Sequence, residues 1–226
     1  LPSMLRRKQW RDESSGEQGT ASKEWYAGAL DPISSEEWRN YWKGKASFTS
    51  AGKSGVRPDM VKCAPSEVQE ALRELYSYVL SLKITPRQWK DSTVVPIPKK
   101  PGAVGLNELR PLKLLEVLRK ATMGILKNRL KTAMDTHGVL HSAQHGFRSS
   151  YNTATAAMEL WNVIEDARFF RKDLHVLLLD IRKAYDTVIR AVGTEGALRR
   201  LGVPMEVAEL LMEVERNNTN TVRTSW

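Results

Sequence analysis

The stretch "LHVLLLDIRKAYDTV", residues 174–188, decides how the rest of the chain is read. An apolar run, Val176–Leu179, leads straight into Asp180, and Tyr185 stands beside a second acid, Asp186. Short runs of Val and Leu between polar flanks predict a buried strand over 174–181. A carboxylate at the end of such a strand has two readings. It caps the turn that follows, or, held by a rigid sheet and open to solvent, it offers oxygen to a hard cation.

The 226 residues, 41% hydrophobic and 27% charged, suffice for one large domain or two small ones with a real core. No apolar run approaches the roughly 18 residues that a membrane span needs. The single cysteine, Cys63, excludes an internal disulfide framework. Thirty-five Lys and Arg against 26 Asp and Glu leave a net charge of +9. That excess favours polyanionic partners, nucleic acid before an anionic membrane. The chain opens "LPSMLRRKQW" without an initiator methionine, as expected of a processed or excised polypeptide. Its basic start is compatible with the remnant of an organelle-targeting segment, so nucleus and mitochondrion both remain open.

Residues 1–24 are polar and read as a flexible arm. In "DPISSEEWRNYW", Ser34 and Glu37 fit a capping box, and Trp38 and Trp42 share one helical face. "TSAGKSGVRPDM" reads as a loop. Ser66 with Gln69 predicts a second capping box, opening a helix to about Leu82 with Val68, Ala71, Leu72, Leu75 and Val79 as its apolar stripe. "STVVPIP" reads as a strand that its prolines keep at a sheet edge. With the turn-rich "KKPGAVGLNE" and "LRPLKLL" it makes a long hairpin. A helix is predicted from about Leu114 to Ala133, with Leu114, Leu118 and Ile125 on its apolar side. Lys113, Lys120, Lys127 and Lys131 fall near another azimuth, with Arg119 close by. Such a stripe is a solvated face or, beside a binding hairpin, a set of phosphate contacts.

"HGVLHSAQHGFRSS" reads as an irregular connector. The spacing of His137, His141 and His145 would suit zinc only on a helix, and Gly138 and Gly146 argue against one. A helix follows over about Thr153–Phe169, then the 174–181 strand, then a helix stopped by Gly202. Pro204 opens another helix, and "NNTNTVRTSW" begins one more strand.

In this order, "KSGVRPDMV", "WKDSTVVPIPKK", "LRPLKLLEVLRK", "VLHSAQHGFRSSYNT", "LLLDIRKAYDTV" and "LRRLGVP" resemble the reverse transcriptase domain of non-LTR (LINE-like) retrotransposons. The resemblance covers about residues 53–226, while residues 1–52 match no recognisable segment. It implies an α+β fold, the fingers and partial palm of a right-hand polymerase, truncated before the catalytic Asp-Asp hairpin. Residues 1–52 would be an N-terminal extension, at best loosely helical. Residues 53–173 would be a fingers-like region, and 174–226 a partial palm with its first catalytic motif.

The resemblance also implies roles. Lys99 or Lys100 on one side of the hairpin loop, and Arg110 on the other, match cations that grip a nucleotide triphosphate; Arg supplies a bidentate fork. Gln144, Gly146 and Arg148 of "QHGFR" match a template-contacting segment, compatible with a tight turn over a buried Phe147. Asp180 matches the catalytic aspartate that binds Mg2+, with the Ile181 carbonyl as a further ligand and Tyr185 under the sugar of the nucleotide. Asp186 reads as a structural cap.

The family's partner Asp-Asp pair does not occur in the sequence. The chain is therefore expected to bind RNA, or an RNA/DNA hybrid, without polymerising alone. The alternative is a domesticated remnant, a structural RNA-binding subunit among the proteins of a ribonucleoprotein such as an organellar ribosome. No membrane partner is expected.

Overall fold

"STVVPIP" and "LRPLKLL" pair with each other in the computed structural model, which describes residues 22–102, 105–181, 187 and 194–223. Strand β1, Asp91–Pro98, runs antiparallel to β2, Leu109–Leu115, in a register from Ser92 opposite Leu115 to Pro98 opposite Leu109. A third strand, β3, Thr219–Val222, lies parallel to β1 from Asp91 opposite Thr219 to Val94 opposite Val222.

The sheet order is β2-β1-β3, so the proline-bearing strand is central, not an edge strand as predicted. Its prolines are tolerated for a local reason. Pro96 faces Pro111 across the ladder, and the Lys99 N–H to Glu108 carbonyl bond fixes the parity that puts both at non-hydrogen-bonded positions. The nitrogen of Pro96 therefore points to the β3 side, and the paired part of β1 there stops at Val94.

Seven α-helices accompany this sheet among the described residues, giving an α+β fold. They are α1 (Ser35–Lys43), α2 (Pro58–Lys62), α3 (Ser66–Leu82), α4 (Val117–Thr136), α5 (Thr153–Phe169), α6 (Gly196–Arg200) and α7 (Met205–Glu215). The chain divides into two compact units, Tyr26–Ala133 with Val203–Trp226, and Leu1–Trp25 with Met134–Gly202. Every buried residue among those described lies in the first of these.

The core of that unit is aromatic, and much of it comes from the segment predicted to be loosely helical. Ser34 caps α1 by accepting the Glu37 N–H at 3.1 Å, which sets Trp38 and Trp42 on the inward face. Trp38 packs edge-on to Trp42 and Tyr76, and Tyr76 packs edge-on to Trp89, just before β1. Helix α3 turns Tyr76, Val79 and Leu80 toward these rings, while Val68 and Leu75 of the predicted stripe stay exposed. Its predicted capping box does not form: Pro65 is the cap residue, and the Gln69 amide donates instead to the carbonyls of Lys62 and Ala64.

Two side chains from α4 tie the unit together. Arg129 forks onto the Glu37 carboxylate at 2.8 and 2.6 Å and also donates to the carbonyls of Gly28, Ala29, Asp31 and Pro32. Arg119, 3% exposed, pairs with Glu215 at 2.7 Å and donates to the Trp89 carbonyl and Asn218 Oδ1. Burial draws its pKa down, opposed by the Glu215 carboxylate. Arg119 is thus an internal tie between β1's approach, α7 and β3, not a neighbour of an exposed lysine stripe. Gly124 lets α1 come close, because a Cβ there would sit 2.6 Å from the Tyr41 ring.

The predicted strand 174–181 is absent. The segment has no regular structure, and Leu177, Leu178 and Leu179 are 80%, 82% and 84% exposed. None of the three described strands pairs with it, and a lone extended segment has neither ladder bonds nor a covered face.

Candidate nucleic-acid interface

The hairpin tip is built by the two lysines expected to grip phosphate. Lys99 continues the ladder through its backbone, and its ammonium donates to the Asn107 carbonyl at 2.7 Å. Lys100 pairs with Glu108 at 3.0 Å. Both side chains are thereby engaged in holding the loop. The Lys100–Glu108 pair is solvent-exposed and so contributes only about 0–1 kcal/mol. Arg110, two residues into β2, is exposed, and its guanidinium makes no hydrogen bond or ion pair among the described residues.

The expected lysine stripe is divided between two elements. Lys113 belongs to β2 and is half-buried, because the helix starts at Val117 and not at Leu114. By strand alternation Lys113 lies on the opposite sheet face from Arg110. Lys120 and Lys127, seven residues apart on α4, are exposed, whereas Lys131 is half-buried. Leu118 is half-buried and Ile125 fully buried on that helix, and Leu114 is a strand residue.

The junction between β2 and α4 is a buried carboxylate. Glu116 accepts the Ser54 N–H at 2.9 Å and the Ser54 hydroxyl at 2.5 Å, which anchors the loop 51–57. Gly52 is required there, since a Cβ would stand 2.7 Å from the Glu116 carboxylate. The Tyr41 hydroxyl donates to the Lys120 carbonyl at 3.1 Å, and burial pushes its pKa up to about 12.

In the other unit, Gln144, Gly146 and Arg148 come together in one turn. The Gln144 amide donates to the Gly146 carbonyl at 3.2 Å, and Arg148 donates to the His141 carbonyl at 3.0 Å and stacks over Tyr151 at 4.4 Å. His145 links the turn to α5 through Thr155 and Glu159, each at 3.1 Å. Phe147, expected inside the turn, is 93% exposed at a positive φ of 62°.

Asp180 and Ile181 lie in the irregular, exposed segment, and Tyr185 and Asp186 fall outside the described residues. Among the described residues, no group of three or more His, Cys, Asp or Glu could hold a metal ion. Asp180 with the Ile181 carbonyl supplies one carboxylate, too few donors for a two-ion magnesium centre. No helix among those described is long and apolar enough to cross a membrane.

The sequence reading missed the internal, structural roles of Arg119, Arg129 and Glu116. Charge alone marks all three as surface groups; only for Arg129 do apolar residues one helical turn away on α4, Ile125 and Leu126, signal an inward face.

No protein-family model matches the chain. It is 32% identical over 187 residues to the Retrovirus-related Pol polyprotein from type-1 retrotransposable element R2 of Nasonia vitripennis, covering 83% of this chain and 17% of that protein. That match is longer than residues 53–226, so it reaches into the first 52 residues, for which no counterpart was expected. The R2 polyprotein of Popillia japonica is 30% identical over 138 residues, covering 61% of this chain and 19% of the relative. The probable RNA-directed DNA polymerase from transposon BS of Drosophila melanogaster is 27% identical over 161 residues, covering 70% and 18%. The chain spans less than a fifth of the length of these curated relatives. Its curated homologues, from the R2, jockey, BS and X elements, are non-LTR retrotransposon reverse transcriptases, and they cover 57–83% of the chain.

Proposed function

We propose that this chain is the nucleotide- and template-binding part of a non-LTR retrotransposon-type RNA-directed DNA polymerase. Residues 53–173 would be its fingers and 174–226 the first part of its palm. The observation that carries the reading is the run from β2 into α4, which presents Arg110, Lys120 and Lys127 to solvent from two rigid, adjoining elements. Cations fixed on regular structure neutralise phosphates and release counterions without reordering the protein. The net charge of +9 supports the same partner class.

In this reading Arg110 grips the triphosphate of an incoming nucleotide, with Lys99 and Lys100 shaping the loop beside it. Gln144, Gly146 and Arg148 form a template-facing turn. Asp180 is one carboxylate of a metal centre to which further carboxylates must contribute. By itself the chain binds an RNA/DNA hybrid and does not extend a primer.

The test is hybrid binding as a function of salt. The chain should bind, and Lys120→Gln with Lys127→Gln should reduce the slope of log affinity against log salt by roughly two or less. An absence of binding at low salt would overturn the reading, and an unchanged slope would return both lysines to a solvated face.

A further inference from the structure

The register of the sheet identifies a second guanidinium that the hairpin alone does not reveal. The Arg223 N–H donates to the Val94 carbonyl at 2.9 Å, which extends the parallel ladder one residue past Val222. Arg223 therefore stands beside Val95, in the row that Val95 shares with Leu112 on β2. Arg110 is opposite Ile97, two residues further along β1. Residues two apart share a face, so Arg110 and Arg223 stand on the same face of the sheet, on opposite sides of β1. From the strand spacing and rise their Cα atoms are about 12 Å apart, within reach of one polyphosphate for two long side chains.

Among the described residues, the rest of that face leaves these two charges uncompensated. Its carboxylates in the paired region are Asp91 and Glu108, and each already has a cation: Lys53 at 3.2 Å and Lys100 at 3.0 Å. Neither Arg110 nor Arg223 has a side-chain hydrogen bond or ion pair among the described residues, and both are exposed. Between them lie Val95, Ile97 and Leu112, an apolar floor that gives the guanidinium groups no competing acceptor.

We propose that Arg110 and Arg223 form one polyphosphate site on this face, which takes the triphosphate of a nucleotide. This rests on the reading of Arg110 as a nucleotide-gripping residue. It transfers the role of second cation from Lys99 or Lys100 to Arg223. The two arginines hold the anion from opposite sides of β1, each through its planar fork.

Calorimetric titration of the 226-residue chain with inorganic tripolyphosphate and with a deoxynucleoside triphosphate tests the site. The variants are Arg110→Gln, Arg223→Gln and the pair, with Arg216→Gln, at an exposed arginine that ends α7, as a control and thermal melts as a check on folding. Arg223→Lys, which keeps the charge and loses the fork, should fall between wild type and Arg223→Gln. Each single Gln variant should weaken both anions about five- to tenfold, and the pair by less than the product of the two. If Arg110→Gln weakens binding and Arg223→Gln does not, this proposal falls and the nucleotide-gripping role of Arg110 stands. If neither anion binds, or neither variant matters, both fall. A single-stranded oligonucleotide measured in parallel separates the phosphate sources: losses confined to it would assign the arginines to backbone phosphates and overturn the triphosphate site.

Discussion

The segments 91–98 and 174–181 carry similar β-forming runs, "STVVPIP" and "HVLLLD", yet only the first is a strand. The weaker sequence, with two prolines, has neighbours on both sides, and the stronger one has none among the described strands. The first is also approached through Trp89, which is packed on Tyr76 and fixed by Arg119. The unit that includes 174–181 has no buried residue among those described. Apolar content creates the incentive to form a strand; paired backbone and a packed body realise it.

Two proline substitutions would break this comparison most sharply. Val95→Pro removes an N–H at a hydrogen-bonded position facing Leu112, and should cost about 3 kcal/mol or more in urea unfolding. Leu178→Pro lies where no ladder exists and should cost less than about 0.5 kcal/mol. Equal costs would mean that 174–181 is paired after all.

Alkaline titration sharpens the comparison from the side of the supporting body. Burial raises the pKa of Tyr26, Tyr41 and Tyr76, Tyr41 to about 12 from an ordinary value of 10.0. Between those values the unfolded chain releases protons that the folded chain keeps. The tyrosine contribution to stability is therefore whole below about pH 10 and falls as pH rises toward 12. Hydrogen-exchange protection of β1 should decline over that window, while 174–181 should be unprotected throughout.

Tyr76→Phe should act in the opposite direction and modestly. The Tyr76 hydroxyl is buried with no hydrogen-bond partner among the described residues, as are the indole nitrogens of Trp38 and Trp42. Removing that hydroxyl should raise stability by about 1 kcal/mol, readable as a higher melting temperature. A loss of stability would show that the hydroxyl has a partner.

Local signals were legible in the sequence. The hairpin, the Ser34 cap, α5, the stop at Gly202 and the final strand all rest on residues a few positions apart. Long-range consequences were not. The central place of β1 depends on β3, and the buried face of α3 depends on Trp38, Trp42 and Trp89. For the candidate site, the exposed Arg110, Lys120 and Lys127 follow from pattern and resemblance. The engagement of Lys99 and Lys100 depends on the shape of the tip, and the alignment of Arg223 with Arg110 depends on a register that no spacing in the sequence encodes.

The parallel partner of β1 also sets an order of assembly in time. Ser92 bonds to Thr219 across 127 residues of chain, whereas β1 and β2 are adjacent in sequence. The hairpin can close as soon as it leaves the ribosome, but its second edge must wait for β3. At about 5–20 residues per second, that edge stands open for on the order of ten seconds in each round of synthesis. During this interval Pro96 and Pro98, which withhold N–H groups from that edge, leave a stray strand little to pair with beyond Val94.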